Sequence, residues 1–153
     1  MAVDTSISTI AGSRSAGVAA RATATLPQST ASAIFTVVGG LVEILYILGQ
    51  VTTVIQTQAN NTKLIANPTT GSDVDLCAVL DITADEVGTL YGITGIFGDA
   101  MVGANAGATV MPQRSIVVNS GTIDLSCSAS STGSVKWRCE WRPIDDGAYV
   151  VAA

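Results

Sequence analysis

Residues 121–148, GTIDLSCSASSTGSVKWRCEWRPIDDGA, predict the fold class of the chain. Apolar and polar residues alternate over 123–127 and again over 135–141, on either side of a turn rich in Ser, Thr and Gly. A period of two is typical of a strand with one buried face, so the two segments are predicted to form a β-hairpin. Nothing in the stretch suggests a reaction centre, and it indicates a stiff scaffold.

Apolar runs upstream extend this prediction. Residues 34–38 and 41–48 are separated by Gly39-Gly40, which suits a tight turn. Apart from Glu43 and Tyr46 the second run is apolar on both faces, so it is expected to be buried on both sides, between sheets or between subunits. Further short strands are expected at 51–57, 63–67, 89–96, 116–118 and 149–152, with one helical turn at 84–87 after a Thr83/Glu86 capping box. Short strands between turn signals predict an all-β sandwich or barrel.

The first thirty residues differ from the rest of the chain. They are rich in Ser, Thr and Ala and contain few large apolar side chains, which is too little to offset the entropy of ordering them in a core. The sequence therefore predicts an extended N-terminal arm over residues 1–30 and one domain over residues 31–153. Such an arm is either disordered or extended against a neighbour, and we favour an arm that crosses onto another subunit.

Composition limits the classes of function. Charged residues make up 12% of the chain, about half the usual share. Either a Ser/Thr/Asn-rich surface or coverage by partner subunits explains this, since interface centres are depleted in charge. The net charge of −5 argues against a nucleic-acid partner. Lys136 and Arg138 lie among acids such as Glu140, which indicates a solvated face of mixed charge.

The chain contains no histidine, which removes Ser-His-Asp and Cys-His catalysis and histidine-containing zinc sites. No phosphate-binding, nucleotide-binding or hydrolase motif is present either. We therefore expect a protein that is not an enzyme and that uses no cofactor. Residues 33–55 are apolar enough to raise a membrane span, but Glu43 at the centre argues against one.

Three groups of residues have both a functional and a structural interpretation. Five acids could form a calcium site, although their spacing lacks the usual register, and solvated loop acids are favoured; they are Asp73, Asp75, Asp81, Asp85 and Glu86. Trp137 and Trp141 are expected to be core, with a subunit contact as the alternative. Cys77, Cys127 and Cys139 are expected to be free buried thiols, while a Cys127–Cys139 bridge stays open.

Several segments together resemble small structural proteins of tailed bacteriophages, in particular capsid decoration (cement) proteins. The segments are DLCA at 75–78, LDI at 80–82, GTLYGITG at 88–95, IVV at 116–118, GTIDL at 121–125, TGSVKW at 132–137 and PIDDGA at 143–148. The resemblance covers residues 31–153. It implies a β-sandwich or jelly-roll-like fold and a homotrimer on the capsid exterior that grips the major capsid protein, after assembly in the host cytoplasm.

Low charge, a strand that is apolar on both faces and an extended arm are what a permanently assembled subunit needs, so the subunit or capsid interface is expected on the arm and on the apolar strand. The residues expected there are Arg14, Arg21, Leu41, Glu43, Leu45 and Tyr46. Two alternatives stay open. The chain could be a tail, head-fibre or other virion protein, or a carbohydrate- or cell-surface-binding β-module.

Overall fold

A computed structural model describes residues 16–153, which form two antiparallel sheets packed against each other. Twelve strands and no helix occur in this part of the chain. The strands are β1 Gly17–Thr25, β2 Ala31–Val38, β3 Val42–Thr53, β4 Asn61–Pro68, β5 Val74–Asp75, β6 Leu80–Asp81, β7 Leu90–Gly92, β8 Val102–Ala104, β9 Ile116–Val118, β10 Gly121–Cys127, β11 Ser134–Pro143 and β12 Tyr149–Ala152.

The two sheets are called sheet I and sheet II. Sheet I has the order β1-β11-β3-β7-β8, and β9 also pairs with β3. Sheet II has the order β12-β2-β10-β4-β5, and β6 also pairs with β4. The strands β1 and β12 lie against each other where the edges of the two sheets meet. The prediction of an all-β sandwich is therefore confirmed.

The core lies between the sheets and is built by alternation along the strands. In β10, Ile123 and Leu125 are buried whereas Thr122 and Ser126 are partly exposed. Trp137 of β11 is buried on the side of sheet I that faces the core. Burying one large apolar side chain contributes about 1.5–3 kcal/mol, so the alternating pattern sets which face of each strand turns inward.

The predicted hairpin over residues 121–148 is wrong, although both of its strands exist. β10 pairs with β2 and β4 in sheet II, whereas β11 pairs with β1 and β3 in sheet I. Residues 128–133 cross from one sheet to the other, so the apolar faces of the two strands meet across the core. Alternation identifies a strand and its buried face, and it does not identify the neighbour that supplies the hydrogen bonds.

The Gly39-Gly40 turn makes the same kind of crossing, from β2 in sheet II to β3 in sheet I. Its two glycines have φ values of +85° and +132°, a region that side chains with a Cβ rarely adopt. A Cβ on Gly40 would also lie 2.5 Å from a carboxylate oxygen of Asp145. The pair is therefore a sheet-to-sheet connection rather than a hairpin turn.

Strand β3 is buried on one face in the single chain rather than on both. Val42, Ile44 and Ile47 face the core, and the residues between them are partly exposed. Ile44 and Ile47 both face inward because of a β-bulge: Trp141 pairs with Ile44 and Glu140 with Tyr46, which leaves Leu45 unpaired. Burial of the outer face between subunits stays a prediction.

The expectation that residues 1–30 lie outside the core is wrong for the described part. Residues 17–25 form β1 and pair with β11, and Ala19 and Leu26 are buried. The strand is built from small residues that fit under large neighbours, as Gly17 fits under the indole of Trp141. Gly17 thus begins the first described strand of the sandwich, while residues 1–15 of the predicted arm lie outside the described residues.

Two local predictions between β6 and β8 also fail. Residues 83–84 form a turn instead of a helix, because the Thr83 hydroxyl donates to Asp81 (2.6 Å) and to the Gln58 carbonyl (3.1 Å) rather than capping a helix. Ala84 has a φ of +59°, outside the right-handed helical region. The strand expected over 89–96 is limited to β7.

Candidate interaction surfaces

The outer face of sheet I carries a groove of about 540 Å³, called the sheet I groove. Strands β1, β11, β3 and β7 form it. The lining residues are Ala20, Arg21, Ala22, Leu48, Gln50, Leu90, Lys136, Trp137 and Arg138.

Strand register explains why a depression forms at this place. Arg138 lies between Ala20 of β1 and Leu48 of β3, and directly paired residues share a face of the sheet. The side chains of Ala20 and Ala22 are short, so the surface of β1 lies lower than that of β11, which carries longer side chains. A groove therefore runs along the outer face of β11, with small side chains on one side and Leu48 and Leu90 on the other.

The charge of the groove is positive. Lys136 and Arg138 are exposed and occupy alternate positions of β11, so their side chains leave the same face about 7 Å apart. Neither has an ion-pair partner among residues 16–153, in contrast to Arg142, whose guanidinium lies 3.5 Å from Glu43. This chain of net charge −5 thus presents two unpaired cations on one face of sheet I.

The layer beneath the groove is tightly packed. Trp137 stacks on Tyr91 with ring centroids 6.3 Å apart and an angle of 28° between the planes. The indole lies over Gly49, where a Cβ would come within 2.7 Å of it. Tyr91 donates a hydrogen bond to Asp85 (2.5 Å), and burial together with this bond raises the pKa of the Tyr91 hydroxyl. The side chains beneath the groove, Trp137 and Tyr91, are therefore held in place by packing and by a hydrogen bond.

The acids considered for a calcium site have different partners and do not converge on one site. Asp75 forms an ion pair with Lys63 at 2.7 Å, and Asp85 accepts the Tyr91 hydrogen bond. Asp81 accepts hydrogen bonds from the Thr83 hydroxyl and from the Asn60 amide, which lower the pKa of its carboxyl group. No cluster of three or more Cys, Asp or Glu suited to a metal occurs in residues 16–153.

A second candidate surface lies on two loops, one before and one after β8, and is called the apolar loop surface. It consists of Ile96 and Phe97 on the first loop and Val110 and Met111 on the second. The exposed fraction rises from 40% for Ile96 to 70% for Val110. The loops are joined because the Gln113 amide donates to the Thr94 carbonyl at 2.9 Å. Large exposed apolar patches are typical of interaction sites, so these joined loops are a candidate binding surface.

The six residues expected at an interface are distributed over different parts of the molecule. Arg14 lies outside the described residues, and Arg21 shares the core-facing side of sheet I with Trp137, its register partner. The buried Nε atom of Arg21 has no hydrogen-bond partner. The other four residues lie together, in β3 or directly before it, and are partly exposed: Leu41, Glu43, Leu45 and Tyr46.

Within that group, Leu41 and Glu43 already have partners inside the chain. The Leu41 amide donates to Asp145 at 2.8 Å, and Glu43 accepts a hydrogen bond from Ser115 at 2.6 Å. The Leu41 bond uses only its backbone, so the side chains of Leu41, Leu45 and Tyr46 offer partly exposed apolar surface in this group. Their role at an interface stays a prediction.

The three cysteines are free and buried. Cys127 lies in sheet II and Cys139 in sheet I, so the strand pairing that a bridge across a hairpin would need does not exist. Burial raises the pKa of all three thiols, to about 12 for Cys139. These thiols are therefore packed as small apolar groups, as the sequence predicts.

Sequence reasoning did not single out the cations of the groove. Lys136 and Arg138 were grouped with Glu140 as a face of mixed charge, and the contribution of β1 was missed because residues 17–25 were assigned to the arm. The alternation of β11 was the available signal. Because the Trp137 side chain faces the core, the side chains of its neighbours Lys136 and Arg138 must face outward.

No family model, curated protein or solved structure matches the chain. Among the described residues, no helix has the length and apolar character needed to cross a membrane.

Proposed function

We propose that the chain is a structural protein of a phage virion that binds the outside of the capsid as a homotrimer and cements neighbouring major capsid proteins. The proposal starts from the resemblance to decoration proteins. The segments that carry it include β7, β9, β10 and much of β11, so they belong to the framework of the sandwich.

The apolar loop surface is the observation that carries the proposal. A stable partner surface needs an apolar centre, and Phe97 and Met111 supply large side chains that are 41% and 54% exposed. They lie on loops held together by backbone hydrogen bonds, so docking needs little ordering of the chain. A permanently assembled subunit also accounts for the low share of charged residues, 12%.

The mechanism would be mechanical. Each contact that closes between the sandwich and two capsid subunits contributes about 25 cal/mol per Å² of apolar area, before the costs of association. Rupture of the shell would then have to expose this area again. The sandwich suits such a role because its strands are joined by long antiparallel pairings, such as β11 with β3.

Binding to empty shells tests the proposal. The double variant Phe97→Ser/Met111→Ser is expected to lower affinity for the shell at least about tenfold, since two apolar contacts worth more than about 1.4 kcal/mol are lost. Val79→Ser is the matched control, because Val79 is 46% exposed and lies outside these loops. Wild-type protein that fails to bind shells, or that electron microscopy locates on the tail, would contradict the capsid assignment.

The N-terminal residues require a separate test. We expect residues 1–15 to contribute to attachment, so their removal should reduce occupancy on empty shells. Removing residues 1–30 would not be informative, since it also removes β1 from sheet I. Unchanged occupancy after removal of residues 1–15 would show that the arm is not a tether.

A further inference from the structure

We propose that the sheet I groove of one copy binds the acidic strand β5 of a second copy. This inference rests on the homotrimer of the proposed function and assigns the surfaces that would join its subunits. It is carried by two surfaces of opposite charge on the same chain.

The receiving surface is the groove with Lys136 and Arg138. Both side chains are exposed and have no ion-pair partner in residues 16–153. Leu48 and Leu90, each partly exposed, provide apolar surface beside them. The groove therefore suits an extended segment that presents two carboxylates on one side.

Strand β5 and the residue before it have this composition. Asp73, Val74 and Asp75 are all exposed, and Val74 has an exposed fraction of 45%. In an extended segment Asp73 and Asp75 leave the same side about 7 Å apart, the same spacing as Lys136 and Arg138. β5 is the edge strand of sheet II, so it is accessible to another molecule.

The ion pair of Asp75 with Lys63 does not prevent this contact. Its side chains are 52% and 28% exposed, and exposed ion pairs contribute little to stability. Asp75 can therefore exchange or share its partner when a second copy approaches. Asp73 and the Oδ1 atom of Asp75 have no such partner among the described residues.

The two surfaces lie on different parts of the sandwich, the groove on the outer face of sheet I and β5 at the edge of sheet II. Contacts between copies are therefore head-to-tail, and such contacts form a ring when the rotation between copies closes. A ring of three would be the proposed homotrimer. A polyanion such as nucleic acid fits the groove less well, because apolar Leu48 and Leu90 lie beside its cations and the chain as a whole has a net charge of −5.

The test compares molar mass by light scattering after size exclusion, at about 50 µM protein in 50 mM and 500 mM NaCl. The wild type is expected to give three times the monomer mass of 15.5 kDa at low salt, with partial dissociation at high salt. Lys136→Glu/Arg138→Glu and Asp73→Lys/Asp75→Lys are each expected to give monomers. All four substitutions in one chain should restore the oligomer, because the charges are exchanged between the two surfaces.

Arg114→Glu is the control, since Arg114 is exposed and lies outside both surfaces. Thermal unfolding of every variant establishes that it is folded. A monomeric wild type would overturn the inference, as would an oligomer that survives both charge reversals or that forms only with added oligonucleotide. The capsid assignment is judged separately by shell binding, so a monomer that binds shells would overturn this inference alone.

Discussion

At Gly49 the backbone of β3 passes directly beneath the indole of Trp137. A Cβ at this position would lie 2.7–2.9 Å from three carbons of the ring, and the ring is held from the side by Tyr91. A glycine between the predicted strands 41–48 and 51–57 suggests a break or bulge, yet Gly49 is in register with Trp137 inside β3. Its role depends on a neighbour 88 positions away, which local pattern does not show.

Gly49→Ala is therefore expected to destabilise the fold by about 1–3 kcal/mol, the usual cost of one methyl group too many in a packed core. Chemical denaturation followed by tryptophan fluorescence measures this. Gly98→Ala is the control, because a Cβ at Gly98 meets no atom within 4 Å. Equal stability of the two variants would show that the indole moves freely.

Buried protonated groups set the response to alkaline pH. The folded-state pKa values of Tyr91 and the three thiols are raised above ordinary values of 10.0 and 9.0, with Cys139 at about 12. Above pH 9 these groups ionise in the unfolded chain before they ionise in the folded one. Their stabilisation is thus complete below pH 9 and is lost as the pH rises, by up to about 1.4 kcal/mol per unit for each group.

We expect the free energy of unfolding to fall from pH 8 to pH 10.5, measured by urea denaturation under reducing conditions. Cys139→Ala should reduce the slope of this fall, whatever its effect at pH 8, since one of the titrating thiols is gone. A stability that stays flat up to pH 10.5 would contradict the assignment of buried, protonated thiols.

At the scale of elements, the two crossings between sheets give the fold its topology. Strands β10 and β11 were predicted nearly residue by residue, since both have one apolar face. The crossing at 128–133 was not predicted, because a Ser/Thr/Gly segment suits a hairpin turn and a crossing equally well. The partners that decide between them are Asn60 and Gln56, far away in the sequence.

Asn60 fixes this crossing in place. It is fully buried, its side-chain oxygen accepts a hydrogen bond from the Ser128 amide at 3.1 Å, and its Nδ2 donates to Ser131 at 3.2 Å. Asn60 lies between the strands predicted over 51–57 and 63–67, so its position in the sequence suggests a turn residue. Its importance comes from its burial together with its hydrogen bonds to Ser128 and Ser131 of the crossing.

Asn60→Ala is expected to destabilise the protein by about 2 kcal/mol, because it leaves the buried Ser131 hydroxyl without its Asn60 partner and the Ala129 amide without its acceptor. Thermal unfolding and amide hydrogen exchange at Ala129 measure the effect. Asn105→Ala, at an exposed position after β8, should change stability by less than about 0.5 kcal/mol. Unchanged protection of the Ala129 amide in Asn60→Ala would contradict the role of Asn60.

At the scale of the molecule, composition and alternation predicted an all-β sandwich, and the order of strands within each sheet could not follow from them. Surfaces were harder to predict than the core. The apolar loop surface has no periodic pattern, and the sheet I groove needs four strands that are distant in sequence. The cations of β11, Lys136 and Arg138, line a groove only because the short side chains of Ala20 and Ala22 in β1 lie beside them.

Truncation on either side of β1 tests which N-terminal residues belong to the sandwich. All twelve described strands lie within residues 17–152, so a chain that lacks residues 1–15 keeps every one of them. Removal of residues 1–26 takes away β1 and Leu26, which is 3% exposed, and should cost at least about 2 kcal/mol from Leu26 alone. It also uncovers the edge of β11, so a strand with unpaired amides becomes open to aggregation. Urea denaturation of the two truncated chains measures the difference; equal stability would mean that β1 is not part of the folded unit, and that residues 1–26 act together as the arm.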